Sequence, residues 1–206
     1  MKPPEYWDRA KRALARKDPV MAAIMRSHPR VYMTARGEPL MTLARAICGQ
    51  QISVKAAQSI WDRIVTCCST VTPENVLGVE RAKLRACGLS DRKTEYIADL
   101  AQHFADGRIH ARDWPRMSDE EIIAKLTDVR GIGRWTAEMF LMFNLLRPDV
   151  FPLDDLGLQK GIRVNYFKGR KISLARMRKV GESWRPWRSV ATWYLWRSLD
   201  PVPVEY

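Results

Sequence analysis

The amino-acid sequence predicts an all-α fold. Apolar residues recur at three- and four-residue spacing through most of the chain, and the alternation typical of strands is nowhere sustained. A Gly-x-Gly turn at Gly131 to Gly133 separates two predicted helices, and a Ser-x-x-Glu capping box at Ser118 marks the start of the first. The 206 residues suffice for one large domain or two small lobes, and no repeat or low-complexity tract divides them.

Prolines and capping residues set the limits of the predicted helices. In chain order we expect helices at 5–17, 19–28, 39–48, from Ser53, from Thr72, 81–87, from Ser90, from Ser118, from about Arg134, from 156 to about 165 and from near Pro186. The helix from Arg134 is expected to bury one face, made of Trp135, Met139, Met142, Phe143 and Leu146.

The turn between the hairpin helices has the composition of a phosphate site. Glycines let another group approach the backbone closely, and the first amides of the following helix have no acceptor within that helix. Together with the helix dipole they favour one phosphate. The expected phosphate contacts are Gly131, Ile132, Gly133, Arg134, Trp135 and Thr136. The turn alone fits an ordinary helix–turn–helix connection equally well, and no strand precedes it, which argues against dinucleotide binding.

Net charge and the lack of long apolar runs narrow the class of protein. The 35 Lys and Arg exceed the 23 Asp and Glu, giving a net charge of +12 and a pI near 9.9, which favours a polyanionic partner without choosing between DNA, RNA and acidic lipid. No apolar run approaches the ~20 residues of a membrane span, and the N-terminal residues lack a signal-peptide core. We therefore expect an intracellular protein, cytoplasmic at the nucleoid in a bacterium or nuclear in a eukaryote.

Three separated pieces carry a resemblance to a known family. They are residues 48–53 (CGQQIS), residues 129–137 (VRGIGRWTA), and residues 151–155 (FPLDD) followed by 184–189 (WRPWRS). In order and spacing they resemble the helix-hairpin-helix DNA glycosylases, and within them the 3-methyladenine DNA glycosylase II branch. The resemblance implies one domain, 1–206, made of two helical lobes with a DNA-binding cleft between them. One lobe is about 35–145, and the other joins the N-terminal helices to about 146–206.

The resemblance also implies the chemistry. Asp155 matches the family's catalytic aspartate, whereas Asp154 is expected to be a helix N-cap or a hydrogen-bonded support. In bifunctional relatives, which cut the DNA strand through a Schiff base, a lysine occupies the position of Trp135. An indole cannot form an imine. The expected function is therefore a monofunctional DNA glycosylase that flips out and excises alkylated purines, 3-methyladenine and 7-methylguanine first, and leaves an abasic site.

Three further side chains match the base pocket and one matches the DNA wedge. Trp196 and Trp135 match pocket tryptophans, and Met139 stands where well-known members have a tyrosine, which leaves the substrate range open. Gln51 matches the wedge that fills the gap left by the flipped nucleotide. The alternatives are that the tryptophans are core residues and that Gln51 is a loop residue facing water. The basic stretch 163–188 is expected to place some cations along phosphates and to pack Trp184 and Trp187.

We expect no cofactor. The last cysteine is Cys87, so the four-cysteine iron–sulfur cluster of some relatives is not expected, and no metal-ligand spacing is present. A structural monovalent cation at the hairpin is left open. The expected partner is double-stranded DNA with damaged bases, without a membrane and with the protein as a monomer. Two alternatives are a non-catalytic helix-hairpin-helix DNA-binding module, disfavoured by Asp155 and the tryptophans, and a bifunctional glycosylase/lyase.

Overall fold

The computed structural model describes residues 2–199, and this part of the chain is helical with no strand. In chain order the helices are α1 (Trp7–Lys17), α2 (Pro19–Ser27), α3 (Pro39–Gly49), α4 (Val54–Cys68), α5 (Pro73–Gly78), α6 (Arg81–Ala86), α7 (Asp91–Ala105), α8 (Asp119–Thr127), α9 (Arg134–Phe143), α10 (Leu156–Phe167), α11 (Leu174–Glu182) and α12 (Arg188–Leu199). The predicted all-α class is confirmed. None of the described helices is both long and apolar enough to span a membrane.

The helices form two compact units. Among the described residues, the first comprises 2–35 and 141–199, and the second runs from Arg36 to Phe140, so the chain passes from the second unit to the first within α9. The boundaries expected for the two lobes, and the cleft between the lobes, stay predictions.

Asp18 joins separate elements of the first unit. Its Oδ1 caps α2 by accepting the Met21 N–H at 3.0 Å. Its Oδ2 accepts the Tyr166 hydroxyl at 2.6 Å and the Trp184 indole N–H at 3.0 Å. One carboxylate thus links the α1–α2 corner to α10 and to the end of α11. Trp184 is fully buried, which agrees with the packing role expected for it.

The second unit is built around α3. Its predicted apolar face is buried, with Leu40, Leu43, Ala44 and Ile47 in the core, and it packs against α4 and α7. Polar side chains give α4, α5, α7 and α8 their N-caps, from Ser53, Thr72, Ser90 and Ser118 respectively. At Ser118 the full capping box is present, because the Glu121 carboxylate also accepts the Ser118 N–H at 2.7 Å. The predicted starts of these helices are therefore correct.

Three features differ from expectation. Helix α11 lies within the basic stretch 163–188, where the sequence predicted no helix beyond about residue 165, and only Met177 and Gly181 of it are buried, too few for a clear apolar period. Helix α9 ends at Phe143, so Leu146 lies beyond it, with a φ of +51°. Trp135 was expected on the buried face of α9 but is 37% exposed, since that face is formed by Met139, Met142 and Phe143.

Candidate active site and nucleic-acid interface

Asp155 stands at the start of α10. Its Oδ1 accepts the Leu158 N–H at 2.6 Å, and its side chain belongs to the few buried polar groups, with the residue 8% exposed. A turn in which the Asp155 N–H donates to the Pro152 carbonyl at 2.9 Å brings Asp155 to the cap position. The expectation that Asp154 caps this helix is therefore wrong. Asp154 is exposed to solvent.

The indole of Trp196 gives Asp155 a second donor. The Trp196 Nε1–H donates to the same Oδ1 at 2.8 Å, and the ring stacks on Phe143 with centroids 5.9 Å apart and 21° between the planes. A Cβ at position 157 would lie 3.0 Å from that indole nitrogen and 3.1 Å from Oδ1, so Gly157 leaves room for this contact. The start of α10 and the body of α12 thus fix the direction of one carboxylate, and the last residue of α9 backs the indole of Trp196.

The segment leading to Asp155 is fastened to the start of α12. Arg188 holds Asp149 with Nε at 2.8 Å from Oδ1 and Nη2 at 2.9 Å from Oδ2. The Ser189 hydroxyl donates to the Arg147 carbonyl at 2.6 Å and accepts the Val150 N–H at 2.9 Å. These contacts place Arg188 and Ser189 against the segment that directly precedes residues 151–155.

Two cations of the basic stretch are structural. Arg185 pairs with Asp149 at 2.9 Å and with Glu182 at 2.6 Å, and Arg188 also reaches Glu182 at 3.3 Å. Hydrogen bonding to Arg185 lowers the pKa of Glu182 below its usual value. Phosphate contacts from this stretch, which stay a prediction, therefore have to come from other residues.

The hairpin turn in the second unit is shaped by its two glycines in different ways. Gly131 has a φ of +85°, and a Cβ there would overlap the Tyr96 ring. Ile132 is buried, and its N–H donates to the Val129 carbonyl at 3.1 Å, so this amide is used inside the turn. Around Gly133 a Cβ would meet nothing within 4 Å.

The beginning of α9 offers backbone amides rather than a cation. The first helical bond runs from the Ala137 N–H to the Gly133 carbonyl at 3.1 Å, so the preceding amides have no acceptor within the helix. The Arg134 side chain contacts two acids, Glu120 with Nη1 at 2.9 Å and Glu138 with Nε at 3.1 Å. Hydrogen bonding to Glu120 raises the pKa of Arg134 above its ordinary value. The phosphate contact expected of Arg134 stays a prediction, and its backbone N–H is the donor that these ion pairs do not use.

The remaining predicted site residues in this unit differ in exposure. Trp135, on the first turn of α9, presents part of its ring to solvent, whereas Met139 and Thr136 are each 9% exposed. Gln51 is exposed and has a φ of +59°, a conformation that costs a non-glycine residue about 1–2 kcal/mol. The second unit thus contains the hairpin, Trp135, Met139 and the Gln51 turn, and the first contains Asp155 and Trp196.

The Gln51 turn and the hairpin are joined by side chains. The Gln50 Nε2 donates to the Gly131 carbonyl at 2.8 Å. The Lys93 Nζ donates to the Cys48 and Gln50 carbonyls at 2.8 Å and 2.7 Å. Two of the three motifs that suggested the family are therefore in direct contact.

A family model described as HhH-GPD superfamily base excision DNA repair protein matches residues 44–186, more than half of the chain. The chain belongs to this superfamily. The resemblance to the helix-hairpin-helix DNA glycosylases is thereby confirmed, and the relatives named next confirm the resemblance to their 3-methyladenine branch.

Similar proteins in the superfamily are named as 3-methyladenine DNA glycosylases. DNA-3-methyladenine glycosylase 1 of Schizosaccharomyces pombe is 37% identical over 78% of this chain and 72% of its own length. The S. pombe 3-methyladenine DNA glycosylase solved in complex with abasic DNA has a TM-score of 0.79 at 33% identity, covering 92% of this chain and 96% of that one. The solved structure of a DNA-3-methyladenine glycosidase from Bacillus halodurans has a TM-score of 0.80 at 33% identity, covering 89% of this chain and 90% of that one.

Several residues that support this HhH-GPD site were missed from sequence. On α7, the polar residues Lys93, Tyr96, Asp99 and His103 recur at helical spacing, a signal that was available. The Asp99 Oδ2 accepts the Arg130 N–H at 2.8 Å, and the buried His103 lies 3.1 Å from an Asp128 oxygen at the end of α8. Tyr96, Asp99 and His103 of this stripe support the hairpin, whereas Lys93 holds the neighbouring turn at Gln50. Gly157 was not singled out from sequence, and Phe143 was expected only on the buried face of α9, without its contact to the Trp196 ring.

Proposed function

We propose that this protein is a monofunctional DNA glycosylase that flips an alkylated purine out of double-stranded DNA and hydrolyses its glycosidic bond, leaving an abasic site. The observation that carries the proposal is the Asp155 carboxylate, fixed by the N–H groups of Leu158 and Trp196. The names of the relatives favour 3-methyladenine as a substrate, and 7-methylguanine follows from the same chemistry.

Cleavage of the glycosidic bond requires one negative charge held close to C1′ of the sugar. A purine methylated at N3 or N7 is cationic, so the electron pair of the breaking glycosidic bond leaves with the base and makes it neutral. Positive charge then develops at C1′ of the sugar, where a carboxylate stabilises it and orients water. The water oxygen bonds to C1′, and its proton passes to the carboxylate or to solvent. Asp155 takes this role, and the reaction as written needs no cofactor.

Base recognition uses aromatic faces and one thioether. An electron-poor base stacks on an indole much as a cation does. Trp196 presents a ring already backed by Phe143, and Trp135 is partly exposed as a pocket residue should be. Met139 packs against the base where relatives have a tyrosine, which loosens the selection among alkylated bases.

DNA binding is assigned to the second unit. The amides at the start of α9 grip one phosphate, and Gln51 fills the gap left by the flipped nucleotide. These contacts are independent of DNA sequence, as repair of scattered lesions requires. A monomer suffices for these contacts.

The test is release of free bases from methylated duplex DNA, with each base identified by its mass. We expect methylated purines in the supernatant from the wild-type protein and strand breaks only after alkali is added. DNA binding without base release would favour the non-catalytic alternative. A covalent adduct trapped by borohydride would contradict the monofunctional assignment.

A further inference from the structure

Lys93 closes the C-terminal end of α3. Lys93 belongs to α7, and its ammonium group donates hydrogen bonds to the carbonyls of Cys48 and Gln50 at 2.8 Å and 2.7 Å. Carbonyls at the end of a helix have no partner within the helix and favour a cation. Partial burial lowers the pKa of Lys93, so the contact is made at some cost in solvation.

The residue immediately after this clamp has a strained backbone. Gln51 has a φ of +59° without being a glycine, and such conformations persist only where the surroundings enforce them. Its neighbours Ile52 and Val54 are large apolar residues that are 39% and 65% exposed. A strained, exposed turn followed by exposed apolar side chains is suited to contact stacked bases.

Gln50 connects the same turn to the hairpin. Its backbone carbonyl accepts from Lys93 and its side-chain amide donates to the Gly131 carbonyl at 2.8 Å. Gly131 in turn lies against Tyr96, three residues after Lys93 on α7. The turn and the hairpin are therefore both fastened to one face of one helix.

We propose that Lys93 and Gln50 are positioning residues that hold Gln51 in its strained conformation and couple it to the phosphate-binding hairpin. When the hairpin binds a phosphate of the DNA backbone, the Gln51 turn is then already held in a fixed position relative to the stacked bases. The inference rests on the proposed function, because it takes Gln51 as the residue that fills the gap. Neither positioning residue contacts the reacting atoms.

The test compares binding to two duplexes. One contains a tetrahydrofuran abasic analogue and the other is undamaged, and the ratio of the two affinities measures gap filling separately from backbone gripping. We expect Gln51→Ala and Lys93→Met each to lower this ratio about tenfold, which for Lys93 is the lower end of the range for a hydrogen bond to a charged group. Lys125→Met is the matched control, because Lys125 also donates to a carbonyl in this unit, that of Arg108 at 3.0 Å, away from the turn.

Two further variants separate positioning from simple loss of stability. Lys93→Arg keeps the cation and its donors, and should keep most of the ratio. The double variant Lys93→Met with Gln51→Ala should lower the affinity ratio no further than Gln51→Ala alone, because both changes remove the same contribution, gap filling by Gln51. If Lys93→Met does not fold by circular dichroism, Gln50→Met, which removes the amide donor to Gly131, is measured in its place.

The outcomes distinguish this inference from the proposed function. If Gln51→Ala lowers the ratio while Lys93→Met and Gln50→Met leave it unchanged, the positioning inference is wrong and the wedge assignment stands. If Gln51→Ala leaves the ratio unchanged, both the wedge and the inference fail. Because binding to an abasic analogue involves no excision, these results do not depend on whether the protein releases bases.

Discussion

The Asp155 site and the hairpin present their functional groups in opposite ways. At Asp155 the proposed active group is a side chain, and its supports are a backbone N–H and an indole from α12. At the hairpin the proposed active groups are backbone amides, and the supports are the side chains of Tyr96 on α7 and of Gln50, just after α3. Arg134, a cation directly after the hairpin turn, is engaged by Glu120 and Glu138.

The difference follows from what each site has to recognise. A developing charge at one carbon needs a single ion held in one direction, because its stabilising effect falls off with misplacement. A phosphate in any DNA sequence needs donors that approach the backbone closely, which glycines permit. Substitutions should therefore separate the two regions, with excision sensitive to the first and binding to the second.

The largest effect is expected from Asp155→Asn. Removing a charge aimed at the transition state should slow base release about 10²–10³-fold or more. Asp154→Asn is the matched control, because Asp154 is the exposed neighbour and should leave the rate nearly unchanged. Single-turnover excision with excess protein measures both. A reversed pattern, with Asp154→Asn inactive, would show that the assignment of the two acids is exchanged.

A smaller effect is expected from Trp196→Phe. This change keeps an aromatic ring but removes the N–H bonded to Asp155, which should slow excision about tenfold. Trp193→Phe is the control on the same helix, because Trp193 also contacts Phe143 while its Nε1 has no hydrogen-bond partner among the described residues. Equal excision rates for the two variants would mean that the indole N–H does not orient the carboxylate.

The hairpin glycines should respond differently from each other. Gly133→Val adds bulk where the structure has open space, so the fold should persist while affinity for all duplexes falls several-fold, about tenfold at most. Gly131→Val would instead force a side chain into the Tyr96 ring at a positive φ, and should lower the thermal midpoint. Unchanged affinity of a folded Gly133→Val would make the hairpin only a structural turn.

Local signals in the sequence predicted much of the fold. The capping box at Ser118, the cap at Ser53 and the prolines that open α2 and α3 act within a few residues, so their consequences were readable. Helix α11 was missed because its packing depends on Gly181, which lies under the ring of Phe151 thirty residues earlier. Such a contact leaves no period in the local sequence.

The candidate site was predicted as a set of residues rather than as a geometry. Asp155 and Trp196 were both named, but the bond between them joins positions 41 residues apart and has no local signature. The cap was assigned to Asp154 because adjacent aspartates have the same capping preference, and only the turn after Pro152 distinguishes them. The hydrogen bonds from Lys93 to the Gln51 turn could not be predicted either, because they also join residues that are far apart along the chain.

The central claim is that Asp155 performs chemistry while the hairpin performs binding. It is tested most directly by measuring, for Asp155→Asn and Gly133→Val side by side, the affinity for duplex containing the abasic analogue and the excision rate at saturating protein. The account predicts that Asp155→Asn loses the rate and keeps the affinity, whereas Gly133→Val loses affinity and keeps most of the saturated rate. Loss of both quantities in the same proportion by both variants would contradict it.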